Sequence, residues 1–443
     1  MKSGYPRFKI HPDCAALFKA LAARYGWPVE AGDAATSMAF PNRAAAERCV
    51  EFVVARDVDA ASVRLEALRL VPQQPGAEAA GRGMLDAPVD VYTVLFPAAA
   101  APIAKQFWQH TGEGISSRLA SHILEILRSA DTASIGVNTS ASSNTSANVS
   151  SNVSANTNTS ANASANTSAS AGPAPPATRR PGYHRRPTVA AAAASSTSSA
   201  TSTASASTPS QTSPQTSSQT VSPHAAAQQP DASSDVGTFI EERFGRNISI
   251  GLAEDAKLAI RRRIAGIIGR ADGQHDEQQL RGAGVSERDV WLYPCGMNAI
   301  YHAHRILKRA LGDRSAARGV VFGFVYTDTL KVLEKFGPQP AAGNSAMFFG
   351  HGDGADYDAL EAALAAERVL AIFTECPSNP LLKTADLARL RRIADANGCA
   401  LVVDETLGNF SNINVLPYAD VVVSSLTKVF SGDSNVMGGS LVV

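Results

Sequence analysis

One long stretch of the chain, residues 131–230, most constrains what it can fold into. Of these 100 residues, 39 are Ser or Thr, one is aromatic, and none is Leu, Phe, Met or Trp. Without large apolar side chains, a segment cannot bury enough surface to offset the entropy of ordering it. We therefore predict a disordered low-complexity linker over 129–235, a small domain at 1–128 and a larger domain at 236–443.

Charge and cysteine content exclude several classes of protein. The chain has 40 Lys or Arg and 40 Asp or Glu, so no net field favours binding to nucleic acid or to an anionic membrane. Five widely spaced cysteines without a C-x-x-C pair indicate a reducing compartment. The N-terminus lacks the apolar segment of a signal peptide, and no run of 18 apolar residues is present. These features predict a cytoplasmic protein.

Hydrophobic patterning predicts α and β elements on both sides of the linker. In 1–128, an amphipathic run from Asp13, an apolar strand at 89–96 and helices at 98–110 and 114–128 predict a small α+β domain. After 236, strand and helix patterns alternate with short connections. This alternation predicts an α/β fold built on a mainly parallel, doubly wound sheet with helices on both faces.

Four residues at predicted strand ends could carry chemistry, because sites in such sheets lie at the carboxyl ends of the strands. Gly296 opens a helix directly after a strand, where free backbone N–H groups suit a phosphate. Asp404 ends an apolar strand, and either pairs with a buried cation or caps the next helix. Lys428 is either an amine nucleophile among apolar neighbours or an exposed lysine. Tyr326 either stacks on a flat ring or belongs to the core.

The order of these motifs resembles the pyridoxal-phosphate enzymes of cysteine and methionine metabolism, with coverage from about residue 239 to 443. The shared motifs are the Gly-Met turn at 296–297, Tyr326, Glu375-Cys-Pro-Ser-Asn-Pro, Val403-Asp-Glu-Thr and Ser425-Leu-Thr-Lys. Within that family, segments 5–13, 89–97, 239–247, 292–301 and 427–439 look most like the fungal cystathionine gamma-synthases. The resemblance implies the large domain of a fold type I PLP-dependent transferase.

The resemblance also implies a role for each site residue. Lys428 would bind pyridoxal 5'-phosphate covalently and move protons on the substrate, and Asp404 would pair with the pyridinium nitrogen. Tyr326 would stack on the ring, and Asn379 would bond its phenolic oxygen. The phosphate would be held by the backbone N–H groups of Gly296 and Met297, the hydroxyls of Ser425 and Thr427, and Arg243 from a neighbouring subunit.

The implied reaction is a gamma-replacement that joins an activated homoserine ester and L-cysteine to give cystathionine, in transsulfuration and methionine biosynthesis. The partners expected are amino-acid substrates and further copies of the chain, as a dimer or tetramer. Two alternatives stay open: a related cystathionine lyase or O-acetylhomoserine sulfhydrylase, and a truncated, non-catalytic product. The second arises because relatives continue into a C-terminal domain after the position of Val443.

Two further expectations concern loops and edges. His351, Asp353 and Asp356 lie close together in sequence, but a short loop without a second cluster predicts a polar turn before a helix rather than a metal site. No metal is therefore expected. The apolar segment 440–443 is expected to form an exposed edge of the sheet that is liable to aggregate.

Overall fold

The computed structural model describes residues 9–28, 36–71, 88–132, 253–268, 278–279, 284–339, 343–434 and 436–443. Apart from helical residues 129–132, the predicted linker lies outside these ranges, and so does Arg243. Within the described ranges, the helices are too short or too polar to span a lipid bilayer.

The N-terminal part is a small α+β unit. Its strands are β1 (Ser37–Phe40), β2 (Arg64–Leu70) and β3 (Val89–Leu95), which form an antiparallel sheet in the order β1-β3-β2. Its helices are α1 (Pro12–Arg24), α2 (Arg43–Val54), α3 (Ala101–Thr111) and α4 (Ser117–Thr132), with short 3-10 turns at Ala60–Ser62 and Ala98–Ala100. The α+β prediction is confirmed, although β1, α2 and β2 were not predicted individually.

Local capping explains where two of these helices begin and end. The side chain of Asn42 accepts a hydrogen bond of 2.9 Å from the backbone N–H of Ala45, which fixes the start of α2. Helix α3 ends at Gly112, whose φ of +64° lies in the left-handed region that favours glycine. Fully buried Phe40, Phe96 and Phe107 then fill the core between helices and sheet.

The second part alternates strands and helices. Its helices are α5 (Ala253–Ile264), α6 (Gly296–Ala310), α7 (Thr327–Phe336), α8 (Gly354–Ala366), α9 (Leu387–Asn397) and the short α10 (Asn409–Asn412). Its strands are β4 (Ile267–Ile268), β5 (Gln278–Gln279), β6 (Val290–Tyr293), β7 (Gly319–Phe322), β8 (Ala346–Phe349), β9 (Ala371–Glu375), β10 (Ala400–Asp404), β11 (Val421–Ser425) and β12 (Gly439–Val442), with 3-10 turns at Glu287–Asp289 and Gly312–Arg314.

Seven of these strands form one sheet in the order β6-β12-β11-β10-β9-β7-β8. Neighbours from β11 to β8 are parallel, whereas β12 is antiparallel to both β6 and β11. Alternate residues face opposite sides, so Val320 and Phe322 pack into one core and Val321 packs into the other. Helices α6 and α7 cover one face, and α8 and α9 cover the other. The predicted α/β fold, built on a mainly parallel sheet with helices on both faces, is confirmed.

The expectation for segment 440–443 was wrong. Strand β12 lies inside the sheet, where Leu441 pairs with Trp291 of β6 and with Val423 of β11. Its backbone pairs with both neighbouring strands, and its side chains pack into the cores on the two faces of the sheet, Leu441 into one and Val442 into the other, so Leu441 has no exposed surface. Among the described strands, β6 and β8 are the edges of this sheet.

The described residues of the two parts pack together as one compact unit. The ring of Phe336, at the end of α7, lies 4.9 Å from Phe52 and 6.2 Å from Phe107, measured between ring centroids. Beside it, the Lys335 side chain donates to Gln106 at 2.9 Å, and its carbonyl accepts from Arg56 at 2.9 Å. The core of the N-terminal part thus continues onto helix α7.

Candidate active site

Polar residues collect at the carboxyl ends of the three central strands. Glu375 of β9 and Asp404 of β10 are paired in register, and Asp404 is also in register with Val423 of β11. Since parallel strands end at the same edge of a sheet, these positions meet where a ligand site is expected.

A short hydrogen-bond chain leads from Asp404 to the end of β11. The Oδ1 atom of Asp404 accepts from the backbone N–H of Thr406 at 2.9 Å and from its hydroxyl at 2.5 Å. The Thr406 hydroxyl oxygen in turn accepts from the backbone N–H of Ser425 at 2.8 Å. Thr406 therefore fixes the orientation of Asp404 and its distance from Ser425. Sequence reasoning missed this residue, although Asp followed two residues later by Thr is a common local turn.

Glu375 forms a half-buried carboxyl pair with Asp404. Burial, and then the charge of Asp404, raise the pKa of Glu375 to about 9, although the backbone N–H of Asn379 opposes the shift. The backbone N–H of Tyr326 also donates to Glu375 at 2.5 Å. Burial likewise raises the pKa of Asp404 despite its bonds from Thr406. Within the described part of the chain, no Lys or Arg forms a salt bridge with either carboxyl, so the pair suits a cationic ligand atom.

The start of α6 lies directly against the end of β11. A Cβ atom added to Gly296 would be 2.6 Å from Cβ and 3.0 Å from Cα of Ser425, so only glycine fits without a shift. Cys295 at the N-cap position makes no capping hydrogen bond, although the backbone N–H groups of Met297 and Asn298 face its thiol and oppose the rise in its pKa. The first backbone N–H groups of α6, including that of Met297, lack partners within the helix.

Two hydroxyls of the next segment complete this corner. The Oγ atom of Ser425 is buried, and among the described residues it has no hydrogen-bond partner. The Thr427 hydroxyl oxygen accepts from the backbone N–H of Gly438 at 3.2 Å, which leaves its proton for another acceptor. Uncapped N–H groups at the positive end of the helix dipole, together with these hydroxyls, fit an anion.

Lys428 lies in the turn that follows β11, and its side chain is exposed. Of the two interpretations that the sequence left open, this position matches the exposed lysine, because β11 ends at Ser425 and Lys428 lies in the turn after it. The turn itself is ordered by backbone bonds, in which Lys428 donates to the Ser425 carbonyl at 3.3 Å and accepts from Gly432 at 3.1 Å. Val429 beside it is also exposed.

Of the other predicted residues, Tyr326 is half-buried at the start of α7 and Asn379 is exposed. Both contribute backbone N–H groups to Glu375, so the structure brings them to the carboxyl pair. Glu375 itself was quoted in a motif without a role, and its burial could not be deduced from the motif. Arg243 lies outside the described residues.

The remaining polar candidates have local roles. Asp356 accepts backbone N–H bonds from His351 at 2.8 Å and Gly352 at 2.7 Å, and Asp353 accepts from Asp356 at 3.0 Å, so this loop is a polar turn that caps α8. Burial raises the pKa of the Cys295 and Cys376 thiols. Buried neutral thiols of this kind are poor nucleophiles.

Two family models match the chain. Residues 13–116 match the fungal trans-sulfuration enzyme N-terminal domain, and residues 279–443 match the Cys/Met metabolism PLP-dependent enzyme. The chain is therefore similar to the fungal trans-sulfuration enzymes in its N-terminal part and to the Cys/Met metabolism PLP-dependent enzymes in its C-terminal part. The sequence resemblance is thereby confirmed, and the cofactor of this family is pyridoxal 5'-phosphate.

Curated relatives of this family match along the whole chain. A cystathionine gamma-synthase of Neurospora crassa is 36% identical over 100% of this chain and 65% of its own length. A cystathionine gamma-synthase-like enzyme of Amanita muscaria is 33% identical, with coverage of 100% and 60%. A cystathionine gamma-synthase of Saccharomyces cerevisiae is 31% identical, with coverage of 100% and 65%. The chain thus spans 60 to 65% of the length of these relatives.

The geometry fits the family's cofactor at its two charged ends. The partnerless Ser425 hydroxyl and the close approach of Gly296 to Ser425 fit the anionic end. Asp404, joined to Ser425 through Thr406, would supply a half-buried carboxyl group for a cationic ring nitrogen.

Proposed function

We propose that this chain carries the cofactor-binding part of a cystathionine gamma-synthase. The reaction is a gamma-replacement that joins an activated homoserine ester and L-cysteine to give cystathionine. The observation that carries the proposal is the chain of contacts Asp404–Thr406–Ser425–Gly296, which joins a half-buried carboxyl group to the partnerless Ser425 hydroxyl at the start of α6. Similarity to the Neurospora crassa cystathionine gamma-synthase over 100% of this chain supports the choice of reaction.

In this proposal the corner between α6 and β11 binds the cofactor phosphate. The backbone N–H groups of Gly296 and Met297 donate to its oxygens, and the helix dipole adds attraction for negative charge. The hydroxyls of Ser425 and Thr427 donate two further hydrogen bonds. Arg243 of a neighbouring copy would complete the site, which makes the proposed enzyme a homo-oligomer, a dimer or a tetramer. We further propose that it works in the cytoplasm on small amino-acid substrates.

The ring is oriented by three residues. Asp404 would pair with the pyridinium nitrogen and keep it protonated, and Thr406 holds the Asp404 carboxyl group in place. Tyr326 would stack on the ring, and Asn379 would bond its phenolic oxygen. Because Glu375 binds the backbone of both residues, it positions the two groups relative to Asp404.

Lys428 carries the covalent and proton-transfer roles. Its amine would hold the cofactor covalently, and the same amine, once free, would take a proton from the substrate Cα and return protons at later positions. When bound, the cofactor supplies an electron sink that stabilises the negative charge left at that carbon. The exposed position of Lys428 leaves room for a substrate to approach.

The test is the visible absorption spectrum of the full chain with added pyridoxal phosphate. We expect a band from the lysine–cofactor bond in the wild-type chain and in a Lys331→Ala control, where the lysine lies on α7 and pairs with Glu334 at 2.7 Å. The band should disappear in Lys428→Ala. A folded wild-type chain without the band, or a Lys428→Ala variant that keeps it, would contradict the proposal.

Product analysis separates the reactions of the family. The chain is incubated with a homoserine ester and either cysteine or sulfide, and the products are identified by mass spectrometry. Cystathionine formed from cysteine supports the synthase. Homocysteine formed only from sulfide identifies a sulfhydrylase, cleavage of added cystathionine identifies a lyase, and a chain that binds the cofactor without turnover is non-catalytic.

A further inference from the structure

The N-terminal part of the chain contacts the start of α6 through residues 111–113, which we call the 111–113 segment. This segment follows α3 and turns at Gly112, where φ is +64°. A Cβ atom at Gly112 would lie 2.5 Å from Sγ of Cys295 and 3.2 Å from the backbone nitrogen of Asn298. The turn therefore packs directly on the first residues of the helix whose N–H groups bind phosphate in the proposed function.

A buried hydrogen bond fixes this contact. The Asn298 side chain is 4% exposed, and its Nδ2 donates to the carbonyl of Thr111, which is fully buried, at 2.8 Å. The Thr111 hydroxyl donates to the Phe107 carbonyl at 2.8 Å and accepts from the Glu113 N–H at 3.2 Å, so the acceptor is itself held rigidly. An amide in the first turn of α6 is thereby tied to the end of α3.

A second contact lies one turn further along the same face of α6. His302 is four residues after Asn298, and its Nε2 lies 3.0 Å from Oε1 of Glu113. Glu113 is buried and is also bound in a two-point ion pair by Arg48 of α2. The ring of Tyr293 stacks on His302 with centroids 5.0 Å apart. Helix α6 is thus fixed in rotation as well as in position.

The sheet holds the opposite side of the same turn. Gly296 abuts Ser425, and a Cβ atom at Gly439 would lie 2.2 Å from the Cys295 carbonyl oxygen and 2.9 Å from the Gly296 nitrogen. The start of α6 therefore lies between the sheet on one side and the 111–113 segment on the other. A small displacement of the segment would move the N–H groups relative to the Ser425 hydroxyl.

We propose that the 111–113 segment, through Asn298 and Gly112, is a positioning element that sets the affinity of the enzyme for the cofactor phosphate. The N-terminal part then acts on the site without touching the ligand. This inference rests on the proposed function, because it takes Gly296 and Met297 as phosphate donors. It predicts a defect that depends on the phosphate group and not on the ring.

The experiment compares pyridoxal phosphate with pyridoxal, which lacks the phosphate, as ligands of the full chain. In Asn298→Ala the dissociation constant for pyridoxal phosphate should rise about tenfold, the effect of losing one buried hydrogen bond. Gly112→Ala should raise the same dissociation constant to a similar extent, because the added Cβ would displace Cys295 at the start of α6. In both variants the dissociation constant for pyridoxal should stay within about twofold of the wild-type value.

The matched control is Gln106→Ala, which removes the hydrogen bond from Lys335 elsewhere on the same interface. It should change neither dissociation constant.

A readout without cofactor separates this inference from the proposed function. Cys295 is 9% exposed against Gly112, so its alkylation rate in the apo chain, followed by peptide mass spectrometry, reports opening of the contact. Faster labelling in Asn298→Ala and Gly112→Ala, but not in Gln106→Ala, supports the inference. Unchanged labelling, or equal effects on both ligands, would overturn it. If the wild-type chain binds neither ligand, the proposed function fails, and labelling alone decides whether the segment positions α6.

Discussion

The carboxyl pair of Glu375 and Asp404 is the part of the site in which the chemistry depends most on individual residues. Two carboxyl groups on adjacent strands, with little solvent, cannot both ionise cheaply. The pKa of Glu375 is raised to about 9, so near neutral pH this group keeps its proton. In the proposed function, a neutral Glu375 leaves Asp404 as the carboxyl group that would pair with the cationic ring nitrogen.

This pair should make the stability of the apo chain depend on pH. In the unfolded chain Glu375 loses its proton near its ordinary pKa, but in the folded chain it keeps the proton up to about pH 9. The folded state then binds more protons between these pH values, so stability falls as pH rises. In Glu375→Gln the free energy of unfolding should decrease less with rising pH. At pH 8 it should exceed the wild-type value by on the order of 1–3 kcal/mol.

Urea unfolding of the apo chains from pH 5 to pH 9 measures the effect. Glu51→Gln, at an exposed position on α2, is the control and should follow the wild-type curve. If the difference between Glu375→Gln and wild type does not grow with pH, the carboxyl is ionised in the folded chain.

At this scale the sequence predicted the types of site residue better than their surroundings. Strand ends and the order of motifs indicated Asp404 and Ser425, because the edge of a parallel sheet follows from βα alternation. The burial of Glu375 and the bridge through Thr406 depend on register between strands far apart in sequence, which no local pattern encodes. The sequence left open whether Lys428 is exposed, because its exposure depends on the course of the turn after β11.

At the scale of elements, the contact between the start of α6 and the end of β11 decides the shape of the anion site. The two elements approach until only a hydrogen atom fits at Gly296 beside Ser425. The strand–glycine–helix pattern was visible in the sequence, and the predicted helix at this position is confirmed. Its close approach to β11 was not visible, because more than 120 residues separate the two.

Gly296→Ala should therefore disrupt the site. The added methyl group would displace Ser425 or the helix start, at a cost of about 1–3 kcal/mol in the free energy of unfolding. We expect loss of phosphate affinity, measured by titration of the apo chain with pyridoxal phosphate.

The matched control is Gly354→Ala at the first residue of α8. A Cβ atom there meets nothing within 4 Å, so stability and binding should be unchanged or slightly improved. A Gly296→Ala chain that binds as tightly as wild type would show that the contact is not needed.

At the scale of the whole molecule, the two parts that flank the linker share an apolar interface. Phe336 of α7 joins the ring of Tyr301 on α6 to Phe52 and Phe107 of the N-terminal part. The sequence predicted a folded part on each side of the linker but not their packing, because interface residues have the same apolar composition as core residues. Such an interface should make the described parts unfold together.

Phe336→Ala tests this coupling. Because Phe336 is half-buried, we expect a loss of roughly 2 kcal/mol, below the value for a fully buried Phe, and a split of one thermal transition into two. Calorimetry of the apo chain measures both effects. Phe348→Ala, at a ring that is 55% exposed, is the control and should leave one transition. Two transitions already present in wild type would refute the coupling.

The interior position of β12 has a consequence for the order in which the sheet can form on the ribosome. In the described sheet, β6 at 290–293 pairs with β12 at 439–442. Strand β6 can therefore join the sheet only after almost 150 further residues have been synthesised. Pairing over such a separation is slow, because a long loop must close first. Strands β7 to β11 can pair earlier. The start of α6, which contacts Gly439, is then among the last parts of the nascent chain to reach its final position.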